Sequence, residues 1–141
     1  MTSLIDTNIL VYAAGIRTTP KKQREAIDIM AAAWPTACLS LQVLSEFSAV
    51  GLRNGLTPGA CRSLVREYQR AWTILVPSPA TLDLALRGVE EHGLSYWDSM
   101  IWAVARERGL HEILTEDGPT GAVVGGVLFR NPFQGFHESE G

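Results

Sequence analysis

"SLIDTNILVYAA", residues 3–14, places a carboxylate inside an apolar run. Leu4 and Ile5 come before it, and Ile9, Leu10 and Val11 after it. A short apolar run ended by a polar break reads as a buried strand over 3–6. The apolar positions beyond it begin a helix over 8–14. A strand that feeds straight into a helix is the opening unit of an α/β fold. Read alone, Asp6 or Asn8 would simply cap that helix.

The rest of the chain continues the alternation. Residues 21–34 read as a helix with Ala26, Ile27, Met30 and Ala33 or Trp34 on one face, ended by Pro35. A second strand follows at 37–39. Ser40 is a good N-cap for a helix through Arg53, and Gly55 stops it. Thr57-Pro58 starts another helix, with Leu64, Val65, Tyr68 and Trp72 turned inward. Residues 73–77 form a third strand. A helix over 78–92 has Leu82, Ala85, Leu86 and Val89 as its apolar stripe. Ser95 opens a helix that runs to Gly109. A strand and turn at 111–117, a glycine-rich loop at 118–126 and a strand at 127–133 complete the pattern. This predicts an α/β fold with a mainly parallel sheet. One domain is expected over 1–136, with a disordered tail at 137–141.

Composition narrows the class. The chain has 141 residues, 46% hydrophobic and 19% charged, with a net charge of −3. That suits a single folded domain and argues against a protein that coats polyanions. No apolar run is long enough to span a bilayer, and no signal peptide is evident, so a cytoplasmic location without membrane attachment is expected. Cys38 and Cys61 fall on different elements and read as reduced packing residues. The glycine-rich loop lacks the G-x-x-x-x-G-K-[ST] pattern and precedes a strand, so it is not a phosphate cradle.

Four acids stand out. Asp6 closes the first strand. Glu46 shares a helix face with Val43, Ala49 and Val50, where an ionised carboxylate is costly unless paired or bound to a cation. Asp98 occupies the first turn of the helix opened by Ser95, and could merely cap it. Asp117 follows the strand at 111–115, and could be a solvated turn residue. In a parallel sheet, strand C-termini and the following helix N-termini share one edge, where ligands bind. All four acids can meet there. Clustered carboxylates repel one another, and a hard divalent cation resolves that repulsion. Mg²⁺ takes oxygen ligands, and no His or Cys accompanies the cluster, which disfavours zinc. His92, His111 and His137 are scattered and read as surface or structural residues. An all-acid Mg²⁺ site suits in-line hydrolysis of a phosphodiester, because the ion activates water and neutralises charge on phosphorus.

"LIDTNILVY", "SLQVLSEF" at 40–47, "LSYWDSMIWAVARERG" at 94–109, "ILTED" at 113–117 and "NPF" at 131–133 together resemble the PIN-domain family, and within it the VapC-type toxins of bacterial toxin–antitoxin pairs. The resemblance spans nearly the whole chain. It implies a compact three-layer α/β/α sandwich and ribonuclease activity dependent on Mg²⁺ or Mn²⁺. It also implies that Asp6 and Asp98 are the main metal ligands. Glu46 would orient the attacking water or join the ligand shell, and Asp117 would complete a second metal position. Asn8 and Thr115 match positions that support the carboxylates through hydrogen bonds. Gly118-Pro119 stands where the family usually continues with an apolar residue, so the division of roles between Glu116 and Asp117 follows from the loop path. The resemblance further implies a small VapB-type antitoxin as partner, and a homodimer.

RNA contacts have candidates in Arg17, Lys21, Lys22 and Arg24, and in Arg62, Arg66 and Arg70 on one helix face. Trp97 and Trp102 read first as packing residues, with base stacking as the alternative for an exposed one. Two rivals remain. One is a catalytically inactive module of the same fold. The other is a phosphoaspartyl or receiver-type domain, which would want a lysine near its carboxylates and, in the phosphatase form, an Asp where Asn8 stands.

Overall fold

The computed structural model describes residues 1–134. Strand β1 (Ser3–Ile5) is buried along its length. It stops one residue earlier than the sequence reading, because Asp6 serves the next element. Asp6 is the N-cap of helix α1 (Thr7–Ala13), and its carboxylate accepts the Thr7 N–H at 2.7 Å. Helix α2 (Pro20–Ala33) is capped by Thr19. Strand β2 (Ala37–Ser40) hands over to helix α3 (Leu41–Arg53), whose cap is the buried Ser40 hydroxyl accepting from the Val43 N–H. Helix α4 (Pro58–Ala71), capped by Thr57, leads to strand β3 (Ile74–Leu75). Helices α5 (Pro79–His92) and α6 (Tyr96–Glu107) follow, then strands β4 (Glu112–Leu114), β5 (Val123–Val124) and β6 (Val127–Arg130).

The six strands form one sheet in the order β3-β2-β1-β4-β6-β5. Every pairing is parallel except β5 with β6. Helices flank the sheet in the three-layer α/β/α arrangement: α1 packs on α2 and α3, α3 packs on α4, and α5 packs on α6. Leu4, Ile5, Ile9, Leu10, Leu39 and Ile113 sit fully buried where these layers meet. Cys38 and Cys61 are free and buried, and burial pushes the Cys38 thiol up to about 11.

Three local readings change. The glycine-rich stretch is not all loop. It contains β5, joined to β6 by Gly125 (φ 52°) and Gly126 (φ 84°), a two-residue hairpin turn that needs two left-handed residues. In α2 the buried face is Glu25, Ala26, Ile29 and Met30, while Ile27 and Trp34 are exposed. Ile27 lies one helical step off that face, and Trp34 ends the helix with its indole N–H donating to the Ala71 carbonyl. In α5 the large apolar residues face outward. Leu82, Leu86 and Val89 are exposed, and Thr81, Ala85 and Gly88 are buried. Small residues on that face let the backbone of α5 approach α6, where the Ser99 hydroxyl donates to the Ala85 carbonyl at 2.5 Å. The expected tail at 137–141 lies outside the described residues.

Candidate active site

The strand order reverses at β1: the chain moves from β1 outward to β2 and β3, then returns to β4 on the other side. A crevice forms at the C-terminal ends of strands at such a reversal. The register pairs Ile5 with Leu114, so Asp6 and Thr115 emerge side by side. The Asp6 N–H donates to the Leu114 carbonyl at 2.9 Å.

Thr115 is buried and acts as the hub. Its hydroxyl donates to Asp6 Oδ2 at 2.8 Å. The same oxygen accepts the N–H groups of Asp117 and Gly118 and the Asn8 amide. Those contacts fold the loop after β4 so that Asp117 turns back to the crevice, where Asn8 Nδ2 donates to its Oδ2 at 3.2 Å. Glu46 comes from the second turn of α3. Thr7 Oγ1 donates to its Oε2 at 2.8 Å and Gln42 Nε2 to its Oε1 at 2.9 Å. Among the described residues no arginine pairs with it. Asp98 stands at the third position of α6, where the Ser95 hydroxyl already accepts the Asp98 N–H. Its carboxylate is therefore not needed to cap the helix.

Asp6, Glu46, Asp98 and Asp117 line one cavity of about 500 Å³, together with Asn8 and Thr7. Glu116 does not line it. It accepts the Tyr12 hydroxyl at 3.0 Å and pairs with Lys22, whose ammonium lies over the Tyr12 and Phe133 rings. Tyr12 is pushed up to about 12 by burial and by that bond to Glu116. Of the basic candidates, Arg17 reaches the cavity wall, and its backbone is left-handed (φ 51°). Lys22 is committed to Glu116, and Arg62 and Arg66 line a separate groove between α3 and α4. His92 packs edge-on against Trp102, and His111 is exposed. His137 lies outside the described residues.

The sequence reading missed Thr7 and Gln42, which hold Glu46. Gln42 precedes Glu46 by one helical turn, a spacing that brings side chains together. The first reading of Trp97, as a packing residue, gives way to the alternative of an exposed ring. Trp102 is buried and donates its indole N–H to Val124, as a packing residue does, but Trp97 is 61% exposed at the cavity's edge.

Burial pushes Asp6 up to about 6; bonds from Thr115 and Thr7 pull it down, and Glu46 and Asp98 add like-charge repulsion. Among the described residues, no group of three or more His, Cys, Asp or Glu side chains is gathered closely enough to hold a metal directly. The donors still fit a hard cation that keeps its waters: four carboxylates spaced around a cavity. Two more acceptors on its wall, Asn8 Oδ1 and Gln42 Oε1, are buried with no donor, and waters on such an ion would supply donors to them.

The raised Asp6 has a consequence for stability without metal. The folded chain holds the Asp6 proton more tightly than the unfolded chain. Stability therefore falls as pH rises from about 4 to 6, and the cost is complete above the folded pKa. Asp6→Asn removes that cost but gives up one of the two hydrogen bonds to the carboxylate. In chelator, the variant is expected to match or trail the parent at pH 4 and to exceed it by roughly 1–2 kcal/mol at pH 7. Urea midpoints at the two pH values measure this; a gap that does not change with pH would contradict a buried, repelled carboxylate.

The family model described as the PIN domain matches residues 3–118. No curated protein matches the chain. Solved structures share the fold. A chain of a toxin–antitoxin complex from Klebsiella pneumoniae is 23% identical with a TM-score of 0.71, covering 93% of this chain and 98% of that one. The sarcin-ricin-loop-cleaving toxin VapC20 of Mycobacterium tuberculosis is 18% identical, TM-score 0.69, covering 84% and 92%. A chain of VapBC2 from Rickettsia felis, bound to a DNA fragment from its promoter, is 17% identical, TM-score 0.68, covering 93% and 98%.

Proposed function

Because the chain belongs to the PIN-domain family, we propose that it is a Mg²⁺-dependent endoribonuclease toxin of a VapBC-type toxin–antitoxin pair. One observation carries the reading: four carboxylates from four distant chain segments line one cavity at the sheet's reversal point. PIN domains are typically nucleases that use a divalent metal, and the sarcin-ricin-loop-cleaving toxin shares this fold.

In this reading Asp6 and Asp98 hold the ion, with Asp117 and Glu46 completing the shell. When bound, Mg²⁺ (or Mn²⁺) lowers the pKa of water and neutralises charge building on the phosphorus and the leaving oxygen. The protein's part is orientation. Thr115 and the Thr7 N–H fix both oxygens of Asp6. Thr7 and Gln42 fix both oxygens of Glu46, which can then orient the attacking water. Asn8 steadies Asp117. Glu116, tied to Tyr12 and Lys22, braces the loop that carries Asp117.

A VapB-type antitoxin is the expected protein partner, supported by relatives crystallised in toxin–antitoxin complexes. A homodimer is supported by the exposed Leu82, Leu86 and Val89 stripe. No helix among the described residues is long and apolar enough to cross a membrane. A phosphoaspartyl domain is disfavoured by Asn8 and by Lys22 being committed to Glu116.

The test is cleavage of total cellular RNA by the purified, antitoxin-free chain. Discrete new RNA ends that appear with Mg²⁺ and vanish with chelator are expected. A folded chain that cuts nothing with Mg²⁺ or Mn²⁺ would leave the inactive binding module as the better reading.

A further inference from the structure

The indole of Trp97 lies outside the hydrophobic core of the described residues. It is 61% exposed on the second residue of α6, directly before Asp98, and the exposed Tyr96 ring meets it edge-on at 5.0 Å between centroids. Large aromatic side chains are costly to leave in water, so one held at the mouth of a charged cavity calls for an occupant.

Trp97 also belongs to two cavities. One is the acidic cavity. The other, about 340 Å³, is lined by Thr7, Glu46, Ala49, Val50, Arg53 and Trp97. The two share Thr7, Glu46, Val50 and Trp97, so they form one groove with the indole on its wall. One end of that groove holds the carboxylates. The other includes Arg53, in the last turn of α3.

An aromatic ring that shares one groove with a cation and a candidate hydrolytic centre matches the needs of one kind of ligand. A nucleobase stacks on an indole whatever its identity, and the adjoining phosphate needs a cation. Stacking needs a base that is free of a duplex. We infer that the Trp97–Arg53 groove is a subsite for an unpaired nucleotide next to the scissile phosphate, with its base on Trp97 and its phosphate on Arg53. The inference rests on the nuclease reading and deepens it: it assigns to Trp97 and Arg53 the nucleotide next to the cut. A purely protein-docking role would need neither the shared acidic wall nor Arg53.

The test is binding of a fluorescent mixed-sequence single-stranded RNA, and of its duplex, with Mg²⁺ present. Asp98→Asn serves as the parent so that the RNA stays intact. Adding Trp97→Ala is expected to weaken single-strand binding about tenfold, Trp97→Phe to stay within about threefold, and duplex binding to be little changed. Arg53→Gln is expected to flatten the salt dependence by about one ion. Trp97 is exposed, so thermal melts of these variants should match the parent.

Unchanged single-strand affinity in Trp97→Ala would overturn the subsite and leave the Tyr96–Trp97 pair to a protein partner. Equal losses on single strand and duplex, or no rescue by Phe, would overturn it too. A parent that binds no RNA removes the subsite outright. Cleavage of total RNA by the unaltered chain decides the nuclease reading separately.

Discussion

Asp98→Asn is expected to yield a folded protein whose metal-dependent RNA cleavage is lower by at least about a hundred- to a thousandfold. The fold should survive because Asp98 has little structural work. The Ser95 hydroxyl caps α6, and the Asp98 carboxylate accepts no hydrogen bond among the described residues. The substitution gives up a helix-dipole interaction of about 0.3–1 kcal/mol. It also relieves repulsion on Asp6, which Asp98 helps to push upward. Stability should therefore move by no more than about 1 kcal/mol. Activity should collapse because Asn is the same size but cannot offer a full negative charge to a divalent ion. Initial rates of RNA cleavage at saturating Mg²⁺, with a thermal melt beside them, separate the two effects. A well-folded Asp98→Asn protein that keeps a tenth of the parent rate would remove Asp98 from the site.

The contrast between Asp98 and Asp6 shows what the sequence reveals about such a site. Asp6 was legible because it breaks an apolar run at a strand end. Glu46 was legible because it sits on an apolar helix face. Both are local patterns, and the rule that strand C-termini share one edge brings them together. The caps Ser40, Thr57 and Ser95 were legible for the same reason, since a cap is a property of a few consecutive residues. What could not be read depends on contacts across the chain. The turn of Asp117 toward the crevice, and of Glu116 away from it, is set by Thr115 on one side and by Tyr12 and Lys22 on the other. Tyr12 and Lys22 lie about a hundred residues from the loop they organise. Trp97 failed as a packing residue because its apolar neighbours in sequence point elsewhere on the helix. One position in a helix turns the side chain by about 100°, enough to move it from core to solvent.

The outward-facing stripe of α5 has the same origin and makes the second large prediction. Periodicity of large apolar residues marks a face, but it does not say that the face is the buried one. In α5 the buried face is Thr81, Ala85 and Gly88. A Cβ on Gly88 would lie 2.2 Å from the Ser99 hydroxyl and 2.7 Å from the Trp102 ring. Neither neighbour can readily yield: Ser99 is bonded to Ala85, and Trp102 is buried and bonded to Val124. Gly to Ala inside a helix ordinarily stabilises by up to about 1 kcal/mol. Here overpacking and the loss of the Ser99 bond should outweigh that gain. Gly88→Ala is expected to be less stable by roughly 2–3 kcal/mol, a fall in Tm of about 10 °C. Gly59 in α4 is the control, since a Cβ there meets nothing within 4 Å. Gly59→Ala should be as stable as the parent or slightly more so. Thermal melts of the two variants decide the matter. If Gly88→Ala melts with Gly59→Ala, α5 does not approach α6 as closely as the Ser99–Ala85 bond requires. The exposure of Leu82, Leu86 and Val89 would then lose its explanation.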